Sequence, residues 1–164
     1  MIYPGLPQDQ QVLAAIGKIA LRHGQLDYAL KLGVKSLAGI SIAEAIDATA
    51  RQTSHELRER VRRLARKRFG EGDVLVRLDA ILERSRRATE TRNQLLHSLW
   101  AHELDGEPVI RRQGYEFQRI PTVTELEAVA DDLAQIANDF TVARLDDFLR
   151  DALARPEGAG RTRC

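Results

Sequence analysis

The chain has 164 residues, of which 43% are apolar and 5% aromatic, and its formal net charge is +1. This length predicts one domain with a substantial core, and the many Leu, Ala and Arg residues favour helices. The lone cysteine, Cys164, excludes an internal disulfide framework and a structural zinc site. Because there is no signal peptide and no apolar run of about 18 residues, we expect a cytoplasmic protein that does not span a membrane.

Residues 1–8 contain two prolines and a glycine, and they are predicted to be an irregular lead-in. Asp9 is the predicted N-cap of a first helix that runs to about Leu37. One face of this helix carries a predicted buried row, formed by Leu13, Ile16, Ala20, His23, Leu26 or Asp27, Leu30, Val34 and Leu37. His23 and Asp27 share that face four residues apart. They are either a satisfied polar pair or one wall of a functional cleft.

A capping box at Ser41–Glu44 opens a second predicted helix that continues to about Phe69. Residues 51–69 hold eight cations and two acids, a net charge of +6. The cations predicted here to contact RNA are Arg58, Arg62, Arg63, Arg66 and Lys67. Glu59 can pair with Arg63, and Glu56 with Arg60. An RNA backbone is the simplest partner for the remaining charge, and the alternatives are a solvated face or the acidic fourth helix.

The break at 70–73 separates this helix from a third, predicted from about Val74 to Trp100. Steps of three and four predict a buried seam through Leu75, Leu78, Leu82, Ser85, Thr89, Arg92, Leu96 and Leu99. Arg86 and Arg87 extend the predicted basic surface along this helix. Because a guanidinium stays charged, Arg92 on the seam requires either an acid such as Asp27 or a cleft built for an anion.

A β-hairpin is predicted at about 103–120, with a turn at Gln113–Gly114. Tyr115, Phe117 and Arg111 could offer stacking and charge to a base, but we prefer a hairpin that covers the end of the helices. A second capping box at Thr124–Glu127 opens the fourth helix, where residues 125–153 hold eight acids and two arginines. Residues 154–164 are predicted to be a disordered tail.

Together these elements predict an all-α fold, an up-down four-helix bundle with a small β-hairpin between helices 3 and 4. Residues 9–153 are expected to form its single domain. A ferritin-like metal bundle is excluded, because no glutamate stands three residues before a histidine. The chain also has no Gly-rich phosphate loop and no nucleophile motif for Ser-His-Asp catalysis.

The candidate catalytic residues are Arg92, Asn93 and His97, at the end of the third predicted helix. His97 is the residue type best able to exchange a proton near neutral pH. On an ideal helix, Arg92 and His97 flank a groove from two sides, an arrangement that suits a phosphodiester. His23, Asp27 and Trp100 are the predicted supporting residues of this cleft. The alternative interpretation is structural: an arginine paired with an acid, and a histidine favoured by the helix dipole.

The run Arg92-Asn93-Gln94-Leu95-Leu96-His97 resembles the signature of HEPN domains, the higher eukaryotes and prokaryotes nucleotide-binding family. That signature is an arginine, four to six residues and a histidine, commonly with a polar residue after the arginine. The resemblance covers residues 9–150, and about nine of these residues carry it. It implies a metal-independent ribonuclease without cofactor, which works as a homodimer with the arginine and histidine of both subunits in one cleft.

Other HEPN proteins only bind nucleotides, RNA or a protein, as parts of toxin–antitoxin or defence systems. The resemblance therefore also suggests a cognate antitoxin or a nucleotidyltransferase as partner. One toxin branch carries a tyrosine two residues after the histidine, where such a nucleotidyltransferase modifies it, but Leu99 occupies that position here. We expect an endoribonuclease, and the alternative is a non-catalytic module that binds RNA or a protein.

Overall fold

A computed structural model of the protein describes residues 2–5, 7–103, 108–111 and 117–154. These residues form a mainly helical fold with a small antiparallel sheet. The helices of the described residues are α1 Gln10–Ala38, α2 Ile42–Ala48, α3 Ser54–Phe69, α4 Asp73–Leu96, α5 Val123–Leu145 and α6 Phe148–Ala154. The strands are β1 Ile2–Pro4, β2 Leu99–Glu103, β3 Pro108–Arg111 and β4 Phe117–Arg119. The hairpin turn with Tyr115 and most of the predicted tail lie outside the described residues.

The chain divides into two compact units. Residues 1–24 and 87–134 form the first, here called the sheet unit because it contains all four strands. Residues 25–86 and 135–164 form the second, here called the helical unit. The three long helices α1, α4 and α5 each contribute residues to both units.

The ends of α1 follow the local sequence signals. Oδ1 of Asp9 accepts hydrogen bonds from the backbone N–H groups of Gln11 and Val12, at 2.8 and 3.4 Å. Beyond the last turn, Gly39 adopts a φ of +67°, a conformation that glycine tolerates without steric cost. The predicted N-cap and the predicted end of this helix are therefore confirmed.

The second predicted helix is interrupted, so the expectation of one continuous helix from 42 to 69 is wrong. The Ser41–Glu44 capping box is present and opens α2, which ends at Ala48. A second box follows, in which Oγ1 of Thr53 accepts from the backbone N–H of Glu56 and the Glu56 carboxylate accepts from the backbone N–H of Thr53. Because this box satisfies the free N–H groups of a new helix start, the chain restarts as α3.

The third predicted helix ends at Leu96, four residues earlier than predicted, and Trp100 lies in a strand. The sheet has the order β1-β2-β3-β4, with every neighbouring pair antiparallel. In this sheet Ile2 pairs with Glu103, and Trp100 pairs with Ile110. The expectation of an irregular lead-in is therefore wrong for residues 2–4, because an edge strand can form wherever its backbone groups find a partner strand.

The start of α5 is shifted from the predicted capping box. Thr122, not Thr124, accepts from the backbone N–H three residues later, that of Glu125, at 3.2 Å. The Glu125 carboxylate accepts in return from the backbone N–H of Thr122 at 2.7 Å. Glu127, the predicted box partner, instead accepts a hydrogen bond from Lys18. The fourth predicted helix is also divided, because α5 ends at Leu145 and α6 begins at Phe148.

The buried rows agree with the sequence periodicity in part. On α4 the seam is buried from Leu75 to Thr89, after which Leu95 is buried and Leu96 is only half-buried. On α1 the predicted row holds from His23 onward, but in the first turns the buried positions are displaced by one. The buried residues there are Val12, Ala15 and Ile19.

The helical unit has an apolar core in which an aromatic ring packs against a glycine. Its cluster includes Leu30, Val34, Leu57, Val61, Leu78, Leu82, Phe140 and Leu149. A Cβ placed on Gly33 would lie 2.5 Å from Cζ of Phe140, closer than carbon atoms can approach. Gly33 is therefore required by the packing of the Phe140 ring, although glycine weakens a helix interior.

Candidate functional site

The end of α4 brings together Arg92 and Asn93. Nη1 of Arg92 donates a hydrogen bond to Oδ1 of Asn93 at 2.8 Å. Nε of Arg92 is buried and has no hydrogen-bond partner among the described residues of the sheet unit. No carboxylate of the described part of that unit forms an ion pair with this half-buried guanidinium. Arg92 therefore keeps both its charge and an unused donor, a combination suited to an anionic ligand.

His97 follows directly after α4 and is exposed. Its backbone N–H donates to the carbonyl oxygen of Asn93 at 2.9 Å, which extends the helical hydrogen-bond pattern by one residue. The three predicted catalytic residues thus lie within about one and a half turns at the end of the same helix. Chemically, this end offers a fixed cation, an amide that orients it and an accessible imidazole.

The predicted supporting residues are placed in different environments. Nε1 of Trp100 donates to the carbonyl oxygen of Leu95 at 3.1 Å, so the half-buried indole satisfies one of the free carbonyls at the end of α4. His23 is 7% exposed, in the sheet unit, which makes it a buried residue of α1. Asp27 belongs to the helical unit, and its predicted pairing with Arg92 stays a prediction.

Most of the predicted RNA-contacting cations are engaged within the protein. Arg58 is only 6% exposed and cannot present its charge on the surface. The paired members of the set are Arg62 with Asp79 and Glu59, Arg66 with Glu71, and Arg86 with Glu83. Hydrogen bonding to Asp79 is the main cause that raises the pKa of Arg62.

Arg63, Lys67 and Arg87 are exposed, as are the paired Arg66 and Arg86. Arg63 and Lys67 form no hydrogen bond or ion pair with any described residue, and they lie four residues apart on α3. The predicted partner of Arg63, Glu59, binds Arg62 instead, and the predicted partner of Arg60, Glu56, caps α3. The uncompensated basic surface of α3 is therefore smaller than the sequence count indicates.

Acids of the fourth predicted helix bind cations of α4 in the helical unit. Within the helical unit, Arg77 binds Asp147 at 2.7 Å and Arg84 binds Asp139 at 2.6 Å. Burial raises the pKa of Asp139, but hydrogen bonds from Arg84 and Gln135 outweigh it, so the pKa is lowered overall. The alternative in which this acidic helix neutralises the α3 arginines is not seen among these pairs.

Sequence reasoning missed a groove in the sheet unit, beside the last turns of α4. Its volume is about 330 Å³. The residues that line it include Thr91, Leu95, Arg119, Glu125, Leu126 and Val129. The available signal was the spacing of Thr122 and Glu125, which marks a helix start and places Glu125 within reach of the preceding strand.

At the rim of this groove, Arg119 and Glu125 form a bidentate ion pair. Nη1 and Nη2 of Arg119 donate to Oε2 and Oε1 of Glu125 at 2.8 and 2.6 Å. The bond from Arg119 is the main cause that lowers the pKa of Glu125 to about 2, and the bonds from Thr122 add to it. The carboxylate is therefore ionised over the whole range in which proteins normally work.

Comparisons with known proteins do not assign this chain to a family. No protein-family model matches it, and neither a curated protein nor a solved structure does. Among the described residues, no three or more His, Cys, Asp or Glu side chains are grouped as metal ligands. No helix in the described part of the chain has the length and apolar character needed to cross a bilayer.

Proposed function

We propose that this protein is a metal-independent endoribonuclease of the HEPN type, with Arg92, Asn93 and His97 as its catalytic residues. The observation that carries the proposal is the half-buried guanidinium of Arg92, which contacts Asn93 but no carboxylate among the described residues of its unit. A partly buried cation with an unsatisfied donor favours an anion that completes the site, and an RNA phosphate would do so. The proposal includes an up-down four-helix bundle as its scaffold.

The reaction follows from the chemistry of these side chains. His97 acts as general base on a ribose 2′-hydroxyl, whose oxygen attacks the adjacent phosphorus. Arg92 stabilises the negative charge that builds on the phosphate oxygens, and Asn93 orients the guanidinium. The P–O5′ bond then breaks, and a protonated imidazole supplies the proton to the leaving oxygen. The products are a 2′,3′-cyclic phosphate and a 5′-hydroxyl.

The proposed enzyme is a homodimer in which the two copies of His97 face one cleft. One imidazole then acts as the base and the other as the acid, so that both proton transfers are served. Sedimentation at low protein concentration tests whether the protein is a dimer. A protein that cleaves RNA while remaining a monomer would contradict the shared cleft and leave a single-subunit mechanism.

The deciding experiment is incubation of the purified full chain with mixed RNA in EDTA, beside the Arg92→Ala/His97→Ala double variant. We expect cleavage by the unaltered protein and none by the variant. His55→Ala is the matched control, because His55 is another exposed histidine on a helix and should be dispensable. Cleavage retained by the folded double variant would overturn the assignment of the site.

A second candidate is a non-catalytic module that binds a protein partner, such as an antitoxin or a nucleotidyltransferase. Leu21 on α1, with a relative exposure of 73%, is the most exposed large apolar residue of the described chain. Leu13 on the same helix is also exposed. An apolar interface of this kind should resist added salt, whereas RNA binding should weaken steeply. Absence of cleavage by any variant, together with salt-resistant capture of a partner, would favour this candidate.

A further inference from the structure

The groove beside α4 combines an apolar floor with a flat, polar rim. Leu95 and Leu126 are buried beneath it, and Val129 is half-buried at its side. At the rim, the two hydrogen bonds to Glu125 fix the orientation of the planar guanidinium of Arg119. Arg119 is itself exposed, so the guanidinium remains accessible from solvent. The volume of about 330 Å³ falls in the range of small-ligand sites.

The charge of this rim selects against an anion. Glu125 neutralises Arg119 and is ionised at any working pH, because its pKa is about 2. A phosphate placed here would meet a carboxylate as well as a guanidinium. An uncharged flat ring avoids that repulsion, since it can stack on the guanidinium plane while its other parts rest on apolar side chains.

One residue that lines the groove is adjacent in sequence to a proposed catalytic residue. Thr91, which lines the groove, directly precedes Arg92 on α4. Successive side chains on a helix are rotated by about 100°. A ligand that fills the groove therefore lies on the face of α4 next to the one that carries Arg92, whose guanidinium has no acid partner among the described residues of the unit.

We infer that this groove binds one nucleobase of a single-stranded RNA, stacked on the guanidinium of Arg119. This inference rests on the proposed ribonuclease function and adds a substrate subsite to it. A base held beside Thr91 brings the adjoining phosphodiester towards Arg92. Stacking accepts any base, so the site favours unpaired RNA over a duplex without reading a particular sequence.

The test uses a short single-stranded RNA that contains 2-aminopurine, a fluorescent base whose emission falls when it stacks. It is titrated into the full chain carrying His97→Ala, which prevents cleavage during the measurement. We expect quenching on binding. Arg119→Lys, which keeps the charge but not the flat surface, should weaken binding by at least about fivefold and relieve the quenching.

Two further variants keep the test independent of folding. Val129→Phe places a larger side chain in the groove while both residues of the ion pair stay unchanged, and it should reduce binding in the same way. Arg150→Lys is the matched control, because Arg150 is also an exposed arginine bound to an acid, Asp151, at 2.8 Å, but lies in the helical unit. It should leave binding and quenching unchanged.

The outcomes separate this inference from the ribonuclease proposal. Quenching that is absent from the His97→Ala protein, or that Arg119→Lys and Val129→Phe leave as strong as it is there, overturns the base-binding groove, even if the unaltered protein cleaves RNA in EDTA. Conversely, quenching lost in both groove variants supports the groove even if no cleavage is found. In that case the catalytic proposal fails and the groove stands as an RNA-binding site.

Discussion

Arg119 and Glu125 are joined by two charge-assisted hydrogen bonds across the first turn of α5. The same carboxylate caps the helix by accepting from the backbone N–H of Thr122. One side chain therefore both starts the helix and fixes the end of β4. The depressed pKa of Glu125, about 2 against an ordinary 4.5, records the sum of these bonds.

The stability contributed by Glu125 should depend on pH. Because its folded-state pKa is depressed, the contribution is present above about 4.5 and is lost as the pH falls towards about 2. Glu125→Gln should therefore lower the melting temperature at pH 7, and the difference from the unaltered protein should shrink between these two pH values. Thermal unfolding at a series of pH values measures it. An undiminished difference at pH 2 would contradict the assignment.

Two glycines of α1 should respond in opposite directions to alanine. Gly33→Ala should destabilise the protein by about 1–3 kcal/mol, because the new methyl group would overlap the ring of Phe140. Gly17 is exposed, and an added Cβ would meet nothing within 4 Å. Gly17→Ala should stabilise by roughly 0.5–1 kcal/mol, since alanine favours a helix interior. Urea denaturation of both variants measures the two changes in unfolding free energy, and a Gly33→Ala variant as stable as the unaltered protein would refute the packing role of Gly33.

The arginines of α3 should separate into those that bind RNA and those that support the fold. Arg63→Gln/Lys67→Gln removes two exposed cations that have no partner among the described residues, and it should reduce the salt slope of single-stranded RNA binding by about 1.4, at about 0.7 per phosphate contact. Arg62→Gln removes a cation already bound to Asp79 and Glu59, and should leave that slope unchanged. Titrations at several salt concentrations measure these slopes, and equal slopes in all three proteins would exclude Arg63 and Lys67 as RNA contacts.

The break between α2 and α3 should depend on Thr53. Thr53→Ala removes the side-chain acceptor for the Glu56 N–H and should cost about 1 kcal/mol of unfolding free energy. Thr53→Ser keeps the hydroxyl and should cost much less. Chemical denaturation with both variants tests the cap. Equal losses would indicate that the methyl group of Thr53, and not its hydroxyl, supports this turn.

Features set by neighbours in sequence could be predicted for this chain. Asp9 and Gly39 mark the ends of α1 through hydrogen bonds and a φ angle that depend only on adjacent residues. The seam from Leu75 to Thr89 follows from periodicity alone. The helix break at Thr53 could also have been predicted, because Thr53 and Glu56 have the spacing of a capping box. It was missed because the helical periodicity continues on both sides of Thr53.

Features set by distant residues could not be predicted in this way. Leu99–Glu103 becomes a strand because β1 and β3 pair with it on its two sides. The sequence around Leu99–Glu103 does not show which segments these partners are. The sequence also did not show whether Glu59 pairs with Arg62 or with Arg63, because both lie within reach of Glu59 on a helix. In the structure Glu59 pairs with Arg62, which also binds the distant Asp79 of α4. For the candidate site, the Arg92–Asn93 contact is local, whereas the groove needs α4, β4 and α5 together.

The pairing of β1 with β2 sets an order of events during synthesis. Ile2 is synthesised about a hundred residues before its strand partner, Glu103. Until Glu103 follows, β1 has no edge to join, and a sheet built from such separated segments closes slowly. Loss of β1 would leave β2 as an open edge, able to pair with another chain. Proteolytic removal of residues 2–4 would therefore favour aggregation of this protein.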